Sequence, residues 1–246
     1  MTQMIQSRLA GLKVYLYDTT EDPERKPEVV VVCCHGYGAP GYDLAGLGPE
    51  IVNLRPELKG RVRFIFPEAP LAAAANPFGG KAWWQIDLDA LEVALAAGSH
   101  REMQRDCPDG LVEARRNMMH LIEETLQISD LPYSQLILAG FSQGAMLMTD
   151  VAFRLEESPA ALGIFSGTLL NLDEWEERMP RRSGLTVLQA HGRQDPLLSF
   201  DAAEELHRLM TTSGLNVNFM PFDGQHTISA ESIEAFAELI QNRLSD

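Results

Sequence analysis

The chain has 246 residues, with 20 Lys and Arg against 35 Asp and Glu, a formal charge of −15. Hydrophobic residues make up 45% and charged residues 22%, ordinary globular values that exclude a disordered or fibrous chain. The acidic balance argues against a nucleic-acid partner, which needs clustered Lys and Arg against phosphate, and against docking on anionic membranes.

In chain order, strand-like runs are expected at Lys13–Tyr17, Val29–Cys34, Val62–Pro67, Gln135–Ala139, Ala161–Phe165, Leu185–Ala190 and Val217–Phe222. Most are short continuous apolar segments, as in strands covered on both faces. Helical patterns alternate with them. Leu111, Ala114, Met118, Leu121 and Ile122 form one face of a helix over Gly110 to Gln127. Another helix runs through Met148 and Leu155. A third has Ser199 as N-cap and is closed by Gly214, with Ala202, Leu206, Leu209 and Met210 on one side. The last carries Ile233, Phe236, Ala237, Ile240 and Leu244. The methionines at 118–119 and 146–148 read as core filler. This alternation predicts an α/β fold, a mostly parallel central sheet with helices on both faces. One domain over residues 1–246 is expected, with an excursion at about 88–108: a short helix at Leu88–Ala97, then the polar stretch Gly98–Cys107.

Cys33, Cys34 and Cys107 make a poor disulfide framework, and the first two should point to opposite faces of their strand. No signal-peptide core precedes residue 10, and the longest aliphatic run, Val29–Cys34, falls far short of a membrane span of roughly 20 residues. A cytoplasmic protein without membrane insertion is the expectation.

Gly140-Phe141-Ser142-Gln143-Gly144 is a G-x-S-x-G pentapeptide placed directly after one predicted strand and before one predicted helix. The glycines permit a sharp turn that lifts the Ser142 hydroxyl above the sheet, over a helix N-terminus. A serine nucleophile needs a base and a group that orients it, and in this arrangement they follow in the order Ser, acid, His. Asp195 lies in the loop after Leu185–Ala190, and His226 in the loop after Val217–Phe222. The rivals fit less well. Asp223 stands too near His226 in sequence, and Asp201 should face outward in a first helical turn. His100, His120 and His207 lie in polar or helical stretches, while His35 and His191, at strand ends, are expected to bond neighbouring backbone. Oxyanion donors are expected from the backbone N–H of Gln143 and from the loop His35–Ala39, with the Tyr37 N–H as candidate.

That loop also offers a competing reading. Gly36-Tyr37-Gly38-Ala39-Pro40-Gly41 matches the dinucleotide fingerprint G-x-G-x-x-G, with Glu68 able to pose as the ribose acid. The fingerprint requires a helix opening at the glycines, and Pro40, Gly41, Gly46 and Gly48 argue against one. No H-E-x-x-H and no cysteine pair with zinc spacing is present, so neither cofactor nor metal is expected.

With HGYGA at His35–Ala39, AWW at Ala82–Trp84, LILAGFSQGA at Leu136–Ala145, VLQAHGRQDPLL at Val187–Leu198 and GQH at Gly224–His226, the chain resembles the phospholipase/carboxylesterase branch of the α/β-hydrolases, which includes the acyl-protein thioesterases. The resemblance implies an α/β-hydrolase fold and a serine hydrolase using Ser142, Asp195 and His226, with the Tyr37 and Gln143 N–H groups as oxyanion hole. It also implies that Trp83 and Trp84 border an acyl pocket, with Leu197 a further pocket candidate; simple core packing is the alternative for the tryptophans. Two departures stand out: Gln85 replaces the acid that usually follows the aromatic pair, and Leu88–Cys107 is longer than its thioesterase counterpart. The carboxylesterases of this family imply short- to medium-chain esters as substrates. A thioesterase or lysophospholipase for long acyl chains is the alternative, and a non-catalytic acyl-ligand binding protein the distant one. The expected partner is a small-molecule ester or acyl substrate, and exposed apolar residues on the 88–108 excursion offer either a lid or a homodimer contact.

Overall fold

Alternation of side chains along a single strand divides the interior in two. Val30, Val32 and Cys34 point into one apolar layer, whereas Val29, Val31 and Cys33 point into the other. The two cysteines therefore face opposite ways, as their adjacency requires. The computed structural model describes residues 4–20, 25–74, 76, 79–87, 93, 105, 107–245.

The strands are β1 (Met4–Leu9), β2 (Leu12–Asp18), β3 (Val29–Cys34), β4 (Val62–Pro67), β5 (Leu71–Ala72), β6 (Lys81–Ala82), β7 (Leu136–Phe141), β8 (Ala161–Phe165), β9 (Thr186–Gly192) and β10 (Asn216–Phe222). Eight of them form one sheet in the order β1-β2-β4-β3-β7-β8-β9-β10. From β4 to β10 every neighbouring pair is parallel, and β2 alone runs against the rest. The short pair β5–β6 stands apart as a separate antiparallel ribbon.

The helices are α1 (Leu47–Leu54), α2 (Leu111–Ser129), α3 (Gln143–Ala152), α4 (Leu172–Arg178), α5 (Phe200–Thr212) and α6 (Ala230–Ser245). α2, α3, α4 and α5 contribute to the layer that holds Cys34, through residues such as Met118, Leu147, Trp175 and Leu206. α1 and α6 cover the other face, through Ile51, Phe236 and Ile240. All ten residues of α3 are buried, because α2 packs over it while β7 and β8 lie beneath. The methionines assigned to the core are there: Met118 and Met148 are fully buried.

Several boundaries differ from the sequence reading. β7 continues to Phe141 and β9 to Gly192, so the first two residues of the G-x-S-x-G turn and the His191–Gly192 pair belong to strands. The helix expected to run through Met148 and Leu155 stops at Ala152, and Leu155 lies in the turn beyond it. β1, α1 and α4 were not anticipated. The helix and polar stretch expected within 88–107 lie outside the described residues, apart from 93, 105 and 107. Among the described residues no helix is long and apolar enough to cross a membrane.

Candidate active site

Ser142 sits between the end of β7 and the start of α3 with φ 54° and ψ −120°, a backbone conformation that L-residues rarely adopt. Its N–H donates to Phe165 O at 2.9 Å, and its carbonyl accepts from Met146 N–H at 3.1 Å, so the turn is tied both to β8 and to the first turn of α3. The two glycines of the motif have a packing reason. A Cβ on Gly140 would run into the backbone of Gly144 and Ala145, and one on Gly144 into the carbonyls of Cys34 and His35. Only a bare Cα lets strand and helix approach this closely around the serine.

Asp195 and His226 meet across two loops. His226 Nδ1 lies 2.7 Å from Asp195 Oδ2, and the Asp195 side chain is fully buried. The other carboxylate oxygen, Oδ1, accepts from Leu197 N–H and Leu198 N–H, each at 2.9 Å. Burial alone would raise the Asp195 carboxyl, but hydrogen bonds from His191, His226 and the Leu198 backbone outweigh it and hold the group below the usual carboxylate range. The loops are stitched together as well: Arg193 N–H donates to Phe222 O at 2.9 Å and Gln194 N–H to Gly224 O at 3.0 Å. On the far side of His226, Thr227 O accepts from Ser166 Oγ at 3.0 Å. Phe141, the residue before the serine, packs on the His226 ring with centroids 4.8 Å apart.

Gln143 does more than follow the serine. Its side chain is fully buried; Oε1 accepts from Trp83 N–H at 3.0 Å, and Nε2 donates to Trp84 O at 2.8 Å. The backbone N–H groups of Tyr37 and Gln143 have no acceptor among the described residues. The Tyr37 loop is braced from the side by the β5–β6 ribbon, through Gly38 N–H to Lys81 O at 2.8 Å and Lys81 N–H to Ala39 O at 2.9 Å. Gln85, which replaces an acid, uses both ends of its amide. Oε1 accepts from Ala74 N–H and the Tyr37 hydroxyl, and Nε2 donates to Ala72 O.

Trp83 and Trp84 are each only 2% exposed and belong to the core layer beneath the site. Trp83 Nε1 donates to His35 O at 2.9 Å. A cavity of about 380 Å³ opens beside His226, walled by Leu44, Leu47, Phe141 and Ile228 together with Asp43 and Glu50, and neither tryptophan lines it. Leu197 is 51% exposed on the loop that carries Asp195 and is also absent from the cavity wall.

His35 behaves as expected of a strand-end histidine: Nδ1 bonds Gly36 O at 2.8 Å and Nε2 accepts from Ala69 N–H at 3.1 Å. His191 does not stop at backbone. Its Nε2 reaches Leu198 O at 2.9 Å and also lies 3.3 Å from Asp195 Oδ2. Sequence reasoning missed this second contact, for which the available signal was a histidine at the end of a strand four residues before the acid. Asp201 is exposed on α5 and Asp223 lies 4.0 Å from Arg193, so neither rival acid has a hydrogen bond to His226.

Residues 36–41 form no helix; the first one opens at Leu47, and Glu68 is paired with Lys13 and Lys81. The dinucleotide reading therefore lacks the helix N-terminus it needs. Among the described residues no group of three or more His, Cys, Asp or Glu side chains is arranged to hold a metal ion.

A serine in a rare backbone conformation at a strand-to-helix turn, and a buried Asp–His pair on the loops after β9 and β10, are groups that acyl transfer can use. The sequence pattern of the Phospholipase/Carboxylesterase family matches residues 17–244. The chain belongs to the phospholipase/carboxylesterase family. It is accordingly a serine hydrolase of the α/β-hydrolase fold. It is similar to acyl-protein thioesterase 1 of Neurospora crassa, with 25% identity over 219 residues covering 87% of this chain and 86% of that protein. Acyl-protein thioesterase 1 of Eremothecium gossypii is 29% identical over 216 residues, covering 85% of this chain and 86% of its own length. Among solved structures, esterase PE8 superposes with a TM-score of 0.73 at 26% identity, covering 88% of this chain and 93% of that one. The Bacillus cereus carboxylesterase shares the fold with a TM-score of 0.67 at 18% identity over 94% of each chain.

Proposed function

We propose that this family member is a carboxylesterase that hydrolyses short- to medium-chain carboxylic esters through an acyl-enzyme on Ser142. The observation that carries the reading is the His226 Nδ1–Asp195 Oδ2 bond at 2.7 Å, because it leaves Nε2 as the free basic nitrogen of the imidazole. In the first step, His226 Nε2 takes the Ser142 hydroxyl proton as Oγ attacks the ester carbonyl. The N–H groups of Tyr37 and Gln143 receive the oxyanion, each such donor contributing roughly a hundred- to a thousandfold in rate. Protonated His226 then gives its proton to the leaving alkoxide, which departs as the alcohol. Water, deprotonated by His226, attacks the acyl-enzyme and releases the carboxylic acid and free Ser142.

The cavity beside His226 has Asp43 and Glu50 among its apolar walls and is not lined by Ser142, so the short-chain preference rests on the family resemblance. A long-chain thioesterase is the second reading, favoured by the names of the relatives at 25% and 29% identity. The partner on the first reading is a small ester or acyl compound, and three free thiols fit a reducing, cytoplasmic setting.

The test is initial rates on p-nitrophenyl esters from acetate to palmitate, with Ser142→Ala beside the wild type. A maximum at acetate or butyrate that the variant loses is the expected result. A maximum at long chains would transfer the assignment to the thioesterase reading. Wild-type turnover by Ser142→Ala would remove both.

A further inference from the structure

We infer that His191 is a positioning residue for Asp195, fixing through its Nε2–H the carboxylate oxygen that faces His226. The inference rests on the reading of Ser142, Asp195 and His226 given above.

His191 is the penultimate residue of β9, and its side chain is wholly buried. Its Nε2 has two neighbours within reach, Leu198 O at 2.9 Å and Asp195 Oδ2 at 3.3 Å. Both are acceptors, so the ring proton belongs on Nε2, where the N–H donates to Leu198 O and stands in close contact with Asp195 Oδ2. Nδ1 is buried without any partner. In this tautomer Nδ1 is a bare lone pair; in the other, a buried N–H would be orphaned and Nε2 would face two acceptors with no hydrogen between them.

The consequence lies in how the carboxylate is held. Oδ1 is pinned by two backbone N–H groups of its own turn, from Leu197 and Leu198. Those two bonds restrain one oxygen but leave the group able to twist about Cβ–Cγ. Oδ2 is the oxygen that bonds His226, and the His191 N–H reaches it from outside the Leu197–Leu198 turn. With both oxygens held, the Asp195 plane is set before His226 arrives, and the imidazole is oriented by a fixed acceptor. A structural histidine would need no such contact: His35, at the corresponding end of β3, spends both ring nitrogens on backbone.

The test uses the full-length protein. His191→Phe keeps a planar ring but removes the donor, and His191→Gln restores an N–H at similar reach. Expected for His191→Phe is a fall in kcat of about ten- to a hundredfold, the factor for losing a hydrogen bond to a charged group, with KM unchanged. The downfield proton resonance of the His226–Asp195 bond should move in the same variant, and His191→Gln should recover most of kcat. Unchanged kcat with an unmoved resonance, or equal losses in both variants that track thermal stability alone, would overturn the proposal. Nitrogen-15 NMR of the wild type adds a test that does not depend on a variant folding: an Nδ1–H tautomer at His191 refutes the contact. Failure of the underlying reading looks different, as the wild type would then show no Ser142-dependent hydrolysis while the downfield resonance still reports on the His191–Asp195 link.

Discussion

Gly144 rests its Cα against the carbonyl oxygen of Cys34, with no space between helix α3 and strand β3 for even one methyl group. Both sides of that contact are backbone, so neither can swing aside. Gly144→Ala should therefore cost at least the roughly 1–3 kcal/mol of an overpacked core, and it should displace the Ser142 turn as well. Urea unfolding together with p-nitrophenyl butyrate turnover checks this. An alanine variant of wild-type stability and rate would show that the turn does not depend on this approach.

Asp195→Asn should leave the fold intact but reduce kcat by about 10³–10⁴, because an amide cannot accept the His226 Nδ1 proton in both orientations or stabilise the imidazolium. Steady-state kinetics and a circular dichroism spectrum are sufficient. A loss of less than tenfold would remove Asp195 from the proposed triad.

The same carboxylate gives a pH dependence of defined sign. Its folded value lies below the ordinary 3.8, so the native state favours the ionised form. The resulting stability is complete above about pH 4 and is lost as pH falls below that through the folded value. Melting temperatures of wild type and Asp195→Asn, followed from pH 7 to pH 2, should differ most near neutrality and converge in acid. A gap that widens on acidification would contradict the assignment.

Away from the site, Asp150 is fully buried on α3 and bonds Arg115 at 3.2 Å, Arg154, and Trp175 Nε1 at 2.8 Å. Deleting one member of such a set strands the others. Asp150→Ala should cost about 3–5 kcal/mol, read from urea unfolding, with the KM for a short ester unchanged. A cost below about 1 kcal/mol would mean that water reaches the freed arginines.

Burial pushes the Cys33 thiol up to about 12 and raises Cys34 well above its ordinary range, whereas Cys107 is exposed. A colorimetric thiol titration at pH 8 should count one reactive group in the native protein and all three in guanidinium. Two or three fast thiols in the folded state would mean that β3 opens readily.

The sheet and the candidate site were legible to different degrees. Strands β3, β4, β7 and β8 announce themselves because both faces are covered, which leaves an unbroken apolar run. β1 does not, since residues 5–8 are exposed and polar in part, so that only pairing with β2 makes it a strand. α1 hides behind Gly46, Gly48 and Pro49, which read as loop although the helix opens among them. Ser142, Asp195 and His226 could be proposed from the sequence because in this fold nucleophile, acid and base follow in that order, on loops after separate strands. The contacts of Gln143 with Trp83 and Trp84, and of His191 with Asp195, could not, as they depend on side-chain reach inside a packed interior.

The parallel sheet also sets a schedule. Ser142, Asp195 and His226 stand after β7, β9 and β10, and among the described residues β10 pairs only with β9, at the edge of the sheet. On the proposed triad, the serine turn emerges first during synthesis and the base only with the last strand. A chain on the ribosome would then carry its nucleophile without its base, and hydrolysis could begin only once β10 has closed the edge.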